Sequence, residues 1–326
     1  MTARWAILGA GAISHDFANG LTHAALGHLH AVGARSAADA RAFADAHGAA
    51  VAGTYDEILA RDDVDAVYIG TVHTSHGDLA IAALEAGKAV LCEKPLTTTA
   101  ADTDGVLAVA ARTGLPLVEA FKYRFGPFPD RLRRAVADGA IGDVVEIVST
   151  IGFTATARTG RLFDPGVAGG AILDAGCYPV SLAVGAAAWA GQPLDDARVI
   201  EAEGVIGETG VDETASAVLR LGAVTARVRT AIVEDLPRAA RIVGTAGEIE
   251  IPNVWGSRQQ STDAAVLRRP DGSVEHLTAA TLNPMAAEAD AVIAALRDGR
   301  TEAPEMPWVQ TRVIACLLED WRRALD

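Results

Sequence analysis

Trp5-Ala6-Ile7-Leu8 is an apolar run that stops at Gly9-Ala10-Gly11-Ala12-Ile13-Ser14 and gives way to a helical pattern reaching about Leu26. A strand, a glycine turn and a helix, in that order at the start of an alternating chain, restrict the fold more than any other feature here. Gly9 permits the tight turn and Gly11 lets backbone approach a pyrophosphate. The helix start at Ala12 and Ile13 offers unpaired N–H groups and a positive dipole end. Ser14 stands where a third glycine often sits, and it is small enough for close helix packing. A loop of this kind also occurs as a plain turn, so its context has to carry the argument. That context is a predicted alternation: strand Leu29 to Gly33, helices Ala37 to His47 and Tyr55 to Arg61, strand Ala66 to Gly70, helix Leu79 to Ala86, strand from Ala89, helix Ala100 to Arg112, strand Pro116 to Ala120.

The second strand ends in Ala34-Arg35-Ser36. A site that prefers NAD usually places an acidic residue about 20 positions past the glycine loop, on the ribose 2′-hydroxyl. Arg35 can instead pair with a 2′-phosphate, so NADP is favoured over NAD, with Ser36 beside it. The bland reading is a solvated arginine at a strand end. Thr71-Val72-His73-Thr74-Ser75-His76 opens the next helix. Its hydroxyls, Thr71 included, either meet a ribose or pyrophosphate or simply cap the helix. His76 either faces the nicotinamide or stabilises the turn.

The next strand runs into Glu93-Lys94-Pro95. A lysine at the carboxyl end of a parallel strand points into the crevice where open α/β sheets bind ligands, which makes Lys94 a candidate acid/base group beside a dinucleotide. A strand cap with an incidental lysine fits the spacing equally well.

Past Phe121-Lys122-Tyr123-Arg124-Phe125 the pattern changes. In Val224 to Arg229, apolar Val224, Ala226 and Val228 alternate with Thr225, Arg227 and Arg229, and Ile249 and Ile251 alternate with Glu248 and Glu250. Period two with glycine turns predicts a largely antiparallel sheet with one face covered. Two helices, Met285 to Asp298 and Trp308 to Leu325, close the chain and are expected to pack back on the first domain. The domains expected are 1–122, binding the nucleotide, and 123–326, binding substrate and mediating dimerisation. Within the second, Asp174 and Tyr178 lie four residues apart in an otherwise uncharged segment. A lone buried carboxylate is expensive, so Asp174 needs a partner, either Lys94 or nearby backbone.

Net charge is −14, from 28 Lys plus Arg against 42 Asp plus Glu, which disfavours nucleic acid and anionic membrane as partners. Cys92, Cys177 and Cys316 lack paired ligand spacing and read as reduced, buried and cytoplasmic. Residues 175–190 are uncharged but short of the roughly 20 apolar residues a spanning helix needs, so a buried helix is expected. His23, His28 and His30 have no completing ligand, so no metal is expected. Asp62, Asp63 and Asp65 read as a solvated turn.

Taken together, Gly9 to Ser14, Glu93-Lys94-Pro95, Glu119-Ala120-Phe121 with Tyr123-Arg124-Phe125, and Gly169-Gly170 through Asp174 and Tyr178 resemble the glucose-fructose oxidoreductase, inositol dehydrogenase and rhizopine-catabolism oxidoreductase (Gfo/Idh/MocA) family over nearly the whole chain. The chain looks nearest to its dimeric dihydrodiol dehydrogenase and NADP-linked xylose dehydrogenase branch. Many members carry histidine where Tyr178 stands, and Thr71-Val72-His73 departs from the commoner Thr-Pro turn. The resemblance implies an α/β fold: a Rossmann domain, then an α+β domain with an open, mostly antiparallel sheet that forms a substrate pocket and a homodimer or higher oligomer. It implies Glu93 and Lys94 beside the cofactor, Tyr178 or Lys94 moving the proton, Asp174 orienting them, and Arg124 and Arg161 touching substrate. The activity implied is NADP-dependent oxidation of a sugar, polyol or dihydrodiol-like alcohol. The nearby ammonium is expected to lower the Tyr178 pKa. A non-catalytic NAD(P)-binding regulator and an NAD-dependent glycosidase are the alternatives on the same scaffold.

Overall fold

Trp5 to Leu8, Ala66 to Ile69 and Ala89 to Cys92 are buried at every position, as strands covered by helices on both faces must be. A computed structural model describes residues 2–256, 261–281 and 283–325. In it β1 (Ala3–Leu8), β2 (Gly27–Gly33), β3 (Val51–Gly53), β4 (Ala66–Ile69), β5 (Ala89–Glu93) and β6 (Leu117–Ala120) form a parallel sheet in the order β3-β2-β1-β4-β5-β6. Order reverses between β1 and β4, and the crevice outside their carboxyl ends is where such sheets bind ligands.

Five helices alternate with these strands: α1 (Ala12–Leu21), α2 (Ala37–His47), α3 (Tyr55–Leu59), α4 (His76–Glu85) and α5 (Ala100–Thr113). α1 stops short of Leu26 because the N–H groups of Ala25 and Leu26 donate to the Asp290 carboxylate instead, at 2.9 and 2.8 Å. The acidic turn is ion-paired rather than merely solvated. Asp63 accepts from Arg61 and meets His30, and Asp65 accepts from Arg4.

α6 (Pro127–Ala137) leads into the second sheet, made of β7 (Val144–Thr154), β8 (Arg198–Ile206), β9 (Asp212–Leu221), β10 (Val224–Ala231), β11 (Val233–Leu236), β12 (Ala240–Gly244), β13 (Gly247–Ile251), β14 (Ser261–Arg268) and β15 (Val274–Thr281). Its order is β15-β14-β13-β12-β7-β10-β9-β8, with β11 on β7. Every pair is antiparallel except β7 with β10. Ile147, Leu219, Ala226, Val228 and Ile242 fill the covered face, under α7 (Cys177–Trp189). Arg227, Arg229, Glu201 and Glu203 stand exposed on the other.

α7 is apolar all round because it lies in the core: 83% of the most apolar window in Pro165–Trp189 is inside the protein. α8 (Pro284–Arg297) packs on α1 and β5, and α9 (Trp308–Arg323) on α5 and α7. All three cysteines are free thiols; Cys92 and Cys177 are buried and Cys316 is half-buried.

Candidate active site

The turn after β1 is built against the turn after β4. Gly9 has φ +102°, and a Cβ there would come within 2.8 Å of Thr71 Cγ2 and 2.9 Å of the Gly70 carbonyl, so only glycine fits. Gly11 caps α1 without a side-chain hydrogen bond, Ala12 is exposed and Ile13 half-buried. An uncapped, accessible helix N-terminus over the crevice fits a dinucleotide pyrophosphate. Ser14 Oγ is buried beneath Gly70, where a Cβ would sit 2.4 Å from it, so the small residue does let α1 approach β4.

Arg35 is exposed at the end of β2, and Ser36 caps α2 by accepting from the Asp39 N–H at 3.4 Å. Thr71 Oγ1 accepts from the Ser75 hydroxyl at 2.7 Å. His76 is 1% exposed, with Nδ1 2.9 Å from the Pro95 carbonyl and Nε2 3.3 Å from that of Thr71. Both neighbours are carbonyls and burial lowers the ring's pKa, so the neutral imidazole donates to one of them, and that bond braces the turn.

Lys94 follows β5 and joins Pro95 through a cis peptide bond. Its Nζ donates to the main-chain carbonyl of Asp174 at 2.5 Å and lies 5.0 Å from the centroid of the Tyr178 ring. Behind it, Glu93 accepts from the Tyr68 hydroxyl at 2.8 Å and from the Lys94 N–H at 3.3 Å. Burial works against the Lys94 charge, but Cys177, Tyr178, Asp174 and Glu93 outweigh it and hold the ammonium above its ordinary pKa.

Asp174 lies in a π turn, Ile172–Gly176, just before α7. The turn frees its carbonyl for Lys94, while its carboxylate binds Arg161 Nη1 at 2.6 Å. The pairing expected between Lys94 and the carboxylate is therefore corrected: ammonium meets carbonyl, and Arg161 takes the charge. Burial raises the Asp174 pKa, but Lys94 and Arg161 more than reverse that and keep it ionised. Asp212 anchors the same turn, accepting from the Ile172 N–H at 2.6 Å, and burial pushes its carboxyl up to about 6.

Tyr178 is boxed by Phe121, Trp255 and Tyr123, with ring centroids 5.7, 5.5 and 6.0 Å away. Its pKa is raised rather than lowered, because burial in this aromatic box exceeds the pull of Lys94. Arg161, bound to Asp174, also lines a cleft of about 530 Å³ together with Val72, Phe163, Val167 and Thr209.

Residues 3–121 match the family model described as oxidoreductase family, NAD-binding Rossmann fold, and residues 130–250 match its partner, the GFO/IDH/MocA C-terminal domain. The chain belongs to the Gfo/Idh/MocA oxidoreductase family. Trans-1,2-dihydrobenzene-1,2-diol dehydrogenases from Xenopus tropicalis and Mus musculus are both 33% identical to it. The alignments cover 98% and 100% of this chain and 97% of each relative. Among solved structures, the Actinomadura kijaniata 3-ketoreductase KijD10 with NADP and TDP-benzene superposes with TM-score 0.88 at 24% identity, covering 100% of this chain and 98% of that one. An aldose-aldose oxidoreductase from Caulobacter crescentus reaches 0.86 at 23%, covering 99% and 97%. At those identities the superpositions show a shared fold.

Arg124 does not line the pocket of this Gfo/Idh/MocA protein. It is 4% exposed, and its guanidinium is spent on Ser181 Oγ at 2.9 Å, the Ser181 carbonyl and Gln310 Oε1 at 2.5 Å. Such a planar fork suits a buried joint between β6, α7 and α9. Gly185 leaves it room, since a Cβ there would lie 2.9 Å from Nη2. Two further groups pack near the site. His73 reaches the Ala168 carbonyl at 3.0 Å, and Glu119 accepts from the Leu96 N–H at 2.9 Å behind the Lys94 turn. A histidine inside a cofactor-facing turn was the available signal for the first. Glu119 gave none beyond being a carboxylate in an apolar strand.

Proposed function

We propose that the protein moves hydride reversibly between NADP and a sugar, polyol or dihydrodiol-like alcohol, and that Lys94 and Tyr178 handle the proton. The observation that carries this is their convergence, Nζ 5.0 Å from the ring centroid, at the carboxyl end of β5, on the side of the sheet where such folds bind ligands. Gly9, Gly11, Ala12 and Ile13 would hold the pyrophosphate, Arg35 and Ser36 the 2′-phosphate, and Thr71, Glu93 and Lys94 the nicotinamide end. A bound nicotinamide supplies or accepts the hydride. In reduction, the carbonyl carbon gains that hydride and its oxygen takes a proton from Tyr178, while the Lys94 charge stabilises the developing alkoxide. Arg161 lines the cleft, where it would meet substrate hydroxyls, and Asp174 steadies it. The aromatic wall suits the apolar face of a ring. A dihydrodiol dehydrogenase activity in the relatives supports the choice of alcohol class.

The test is to follow nicotinamide absorbance with NADP and NAD over aldoses, polyols and trans-dihydrodiols. Turnover with at least one alcohol and preference for NADP are expected. Binding of NADP without any turnover would favour a regulator.

We further infer a division at 122/123 between the nucleotide and substrate halves, and a cytoplasmic protein, which three free thiols suit. The open sheet face, with Glu201 and Glu203 beside Arg227 and Arg229, is self-complementary in charge across a two-fold axis, which suits a homodimer. Light scattering should give twice the chain mass, and Arg227→Glu should weaken the dimer.

A further inference from the structure

Residues 155–168 form one wall of the cleft, and most of their tethers lie within the substrate half. Ala155 N–H donates to the Ile232 carbonyl at 2.9 Å, Arg158 pairs with Glu213 at 2.7 Å, and Arg161 pairs with Asp174. Among the hydrogen bonds described for this loop, the one that crosses to the nucleotide half joins His73 Nδ1 to the Ala168 carbonyl at 3.0 Å. A carbonyl can only accept, so Nδ1 carries the proton and donates. The ring is 7% exposed, faced by Lys94, His76 and Asp174, and burial, with help from Lys94, drives its pKa down to about 3. It is therefore a neutral, fixed donor at any working pH.

Ala168 itself is strained. It is the non-glycine residue with positive φ among those described, at +56°, a conformation that costs an alanine about 1–2 kcal/mol. The strain is held from both sides. Gly169 N–H donates back to the Asp164 carbonyl at 3.0 Å and Gly170 N–H to that of Leu162 at 2.9 Å, while His73 takes the Ala168 carbonyl. Strain kept by such over-determination marks a position whose geometry is used. His73 sits in the middle of the turn after β4, between Thr71 and Ser75, and its neighbour Val72 lines the cleft directly.

We propose that His73 is a positioning residue that couples the two halves, so that nucleotide seated against the Thr71–Ser75 turn orders residues 155–168 over the substrate cleft. This rests on the cofactor reading given above. Cofactor and substrate are then linked through a clasp 3.0 Å long, with no contact between the two ligands required.

Backbone hydrogen exchange of peptides covering 155–170 tests it, in wild type, His73→Leu and His73→Asn, with and without saturating NADP⁺. Asn places an amide N–H where Nδ1 stands. Without nucleotide, His73→Leu should exchange about tenfold faster than wild type in this segment, the loss of one hydrogen bond. NADP⁺ should slow exchange there in wild type and in His73→Asn, and the slowing should shrink at least about threefold in His73→Leu. Equal exchange in wild type and His73→Leu without nucleotide would overturn the clasp. Unchanged exchange in wild type on NADP⁺ binding would overturn the coupling, without reference to any variant. Should wild type bind no NADP⁺ in a direct titration, the cofactor reading fails, and the nucleotide-free comparison still decides the clasp.

Discussion

The ammonium of Lys94 is held by the backbone of Asp174, carbonyl to Nζ at 2.5 Å, while the carboxylate of that same residue holds Arg161 at 2.6 Å. One residue thus positions two cations by two different groups, and substitution can separate them. Lys94→Met should lower kcat about 10²–10⁴-fold with NADP⁺ affinity near wild type. Asp174→Asn keeps the carbonyl, so its effect should fall on KM through Arg161, with kcat within about tenfold. Steady-state kinetics on both variants checks this. Equal losses of kcat would mean the carboxylate acts on the reacting atoms.

Both proton-handling groups sit above their ordinary pKa values, Tyr178 through burial and Lys94 through its anionic and polar neighbours. At neutral pH the site is loaded with protons. Carbonyl reduction should then be flat between about pH 6 and 8, whereas alcohol oxidation should accelerate up to at least about pH 9.5. Tyr178→Phe should abolish that rise. A pH profile in each direction measures it, and an oxidation optimum near neutrality would exclude this pair as the base.

Glu119 offers a stability test independent of substrate. Burial outweighs the Leu96 N–H, Thr311, Arg124 and Lys94, and lifts its carboxyl from 4.5 to about 7. The folded state therefore binds a proton that the unfolded state has released across this window, and stability falls as pH rises through it. Glu119→Gln mimics the protonated form and still accepts from Leu96. Its stability should match wild type near pH 4 and exceed it near pH 8 by on the order of 3 kcal/mol. Urea denaturation at the two pH values decides the point.

Arg35 tests the choice of nucleotide. Arg35→Ala should weaken NADP⁺ binding at least about tenfold and leave NAD⁺ within about twofold, since a charge-assisted bond to phosphate contributes about 1.5–3 kcal/mol. Fluorescence titration of the two nucleotides provides the comparison. Equal weakening of both would place the arginine on adenine alone.

The pieces readable from sequence were those where local chemistry and global position coincide. Gly9 had to be glycine for its own backbone and for the approach of Thr71, and the alternation in Val224 to Val228 reports a sheet with one covered face. Lys94 was legible because a strand end fixes where a side chain goes. What failed depended on partners distant in the chain. Arg124 looks like a pocket residue beside aromatics, yet Ser181 and Gln310, from α7 and α9, claim it. Asp174 was recognised as needing a partner, but no spacing rule foretold a π turn that offers its carbonyl to Lys94 and turns its carboxylate to Arg161. The desolvation of Tyr178 was not legible because its walls, Phe121 and Trp255, come from segments far apart in the chain. His73 went unassigned because its acceptor lies 95 residues away.

α8 seats Met285 directly against Gly20 and uses Asp290 to finish α1. During synthesis, then, the nucleotide-binding half leaves the ribosome with that flank bare. It stays so until α8 emerges. A fragment ending before residue 284 should therefore precipitate rather than persist as an isolated nucleotide-binding module.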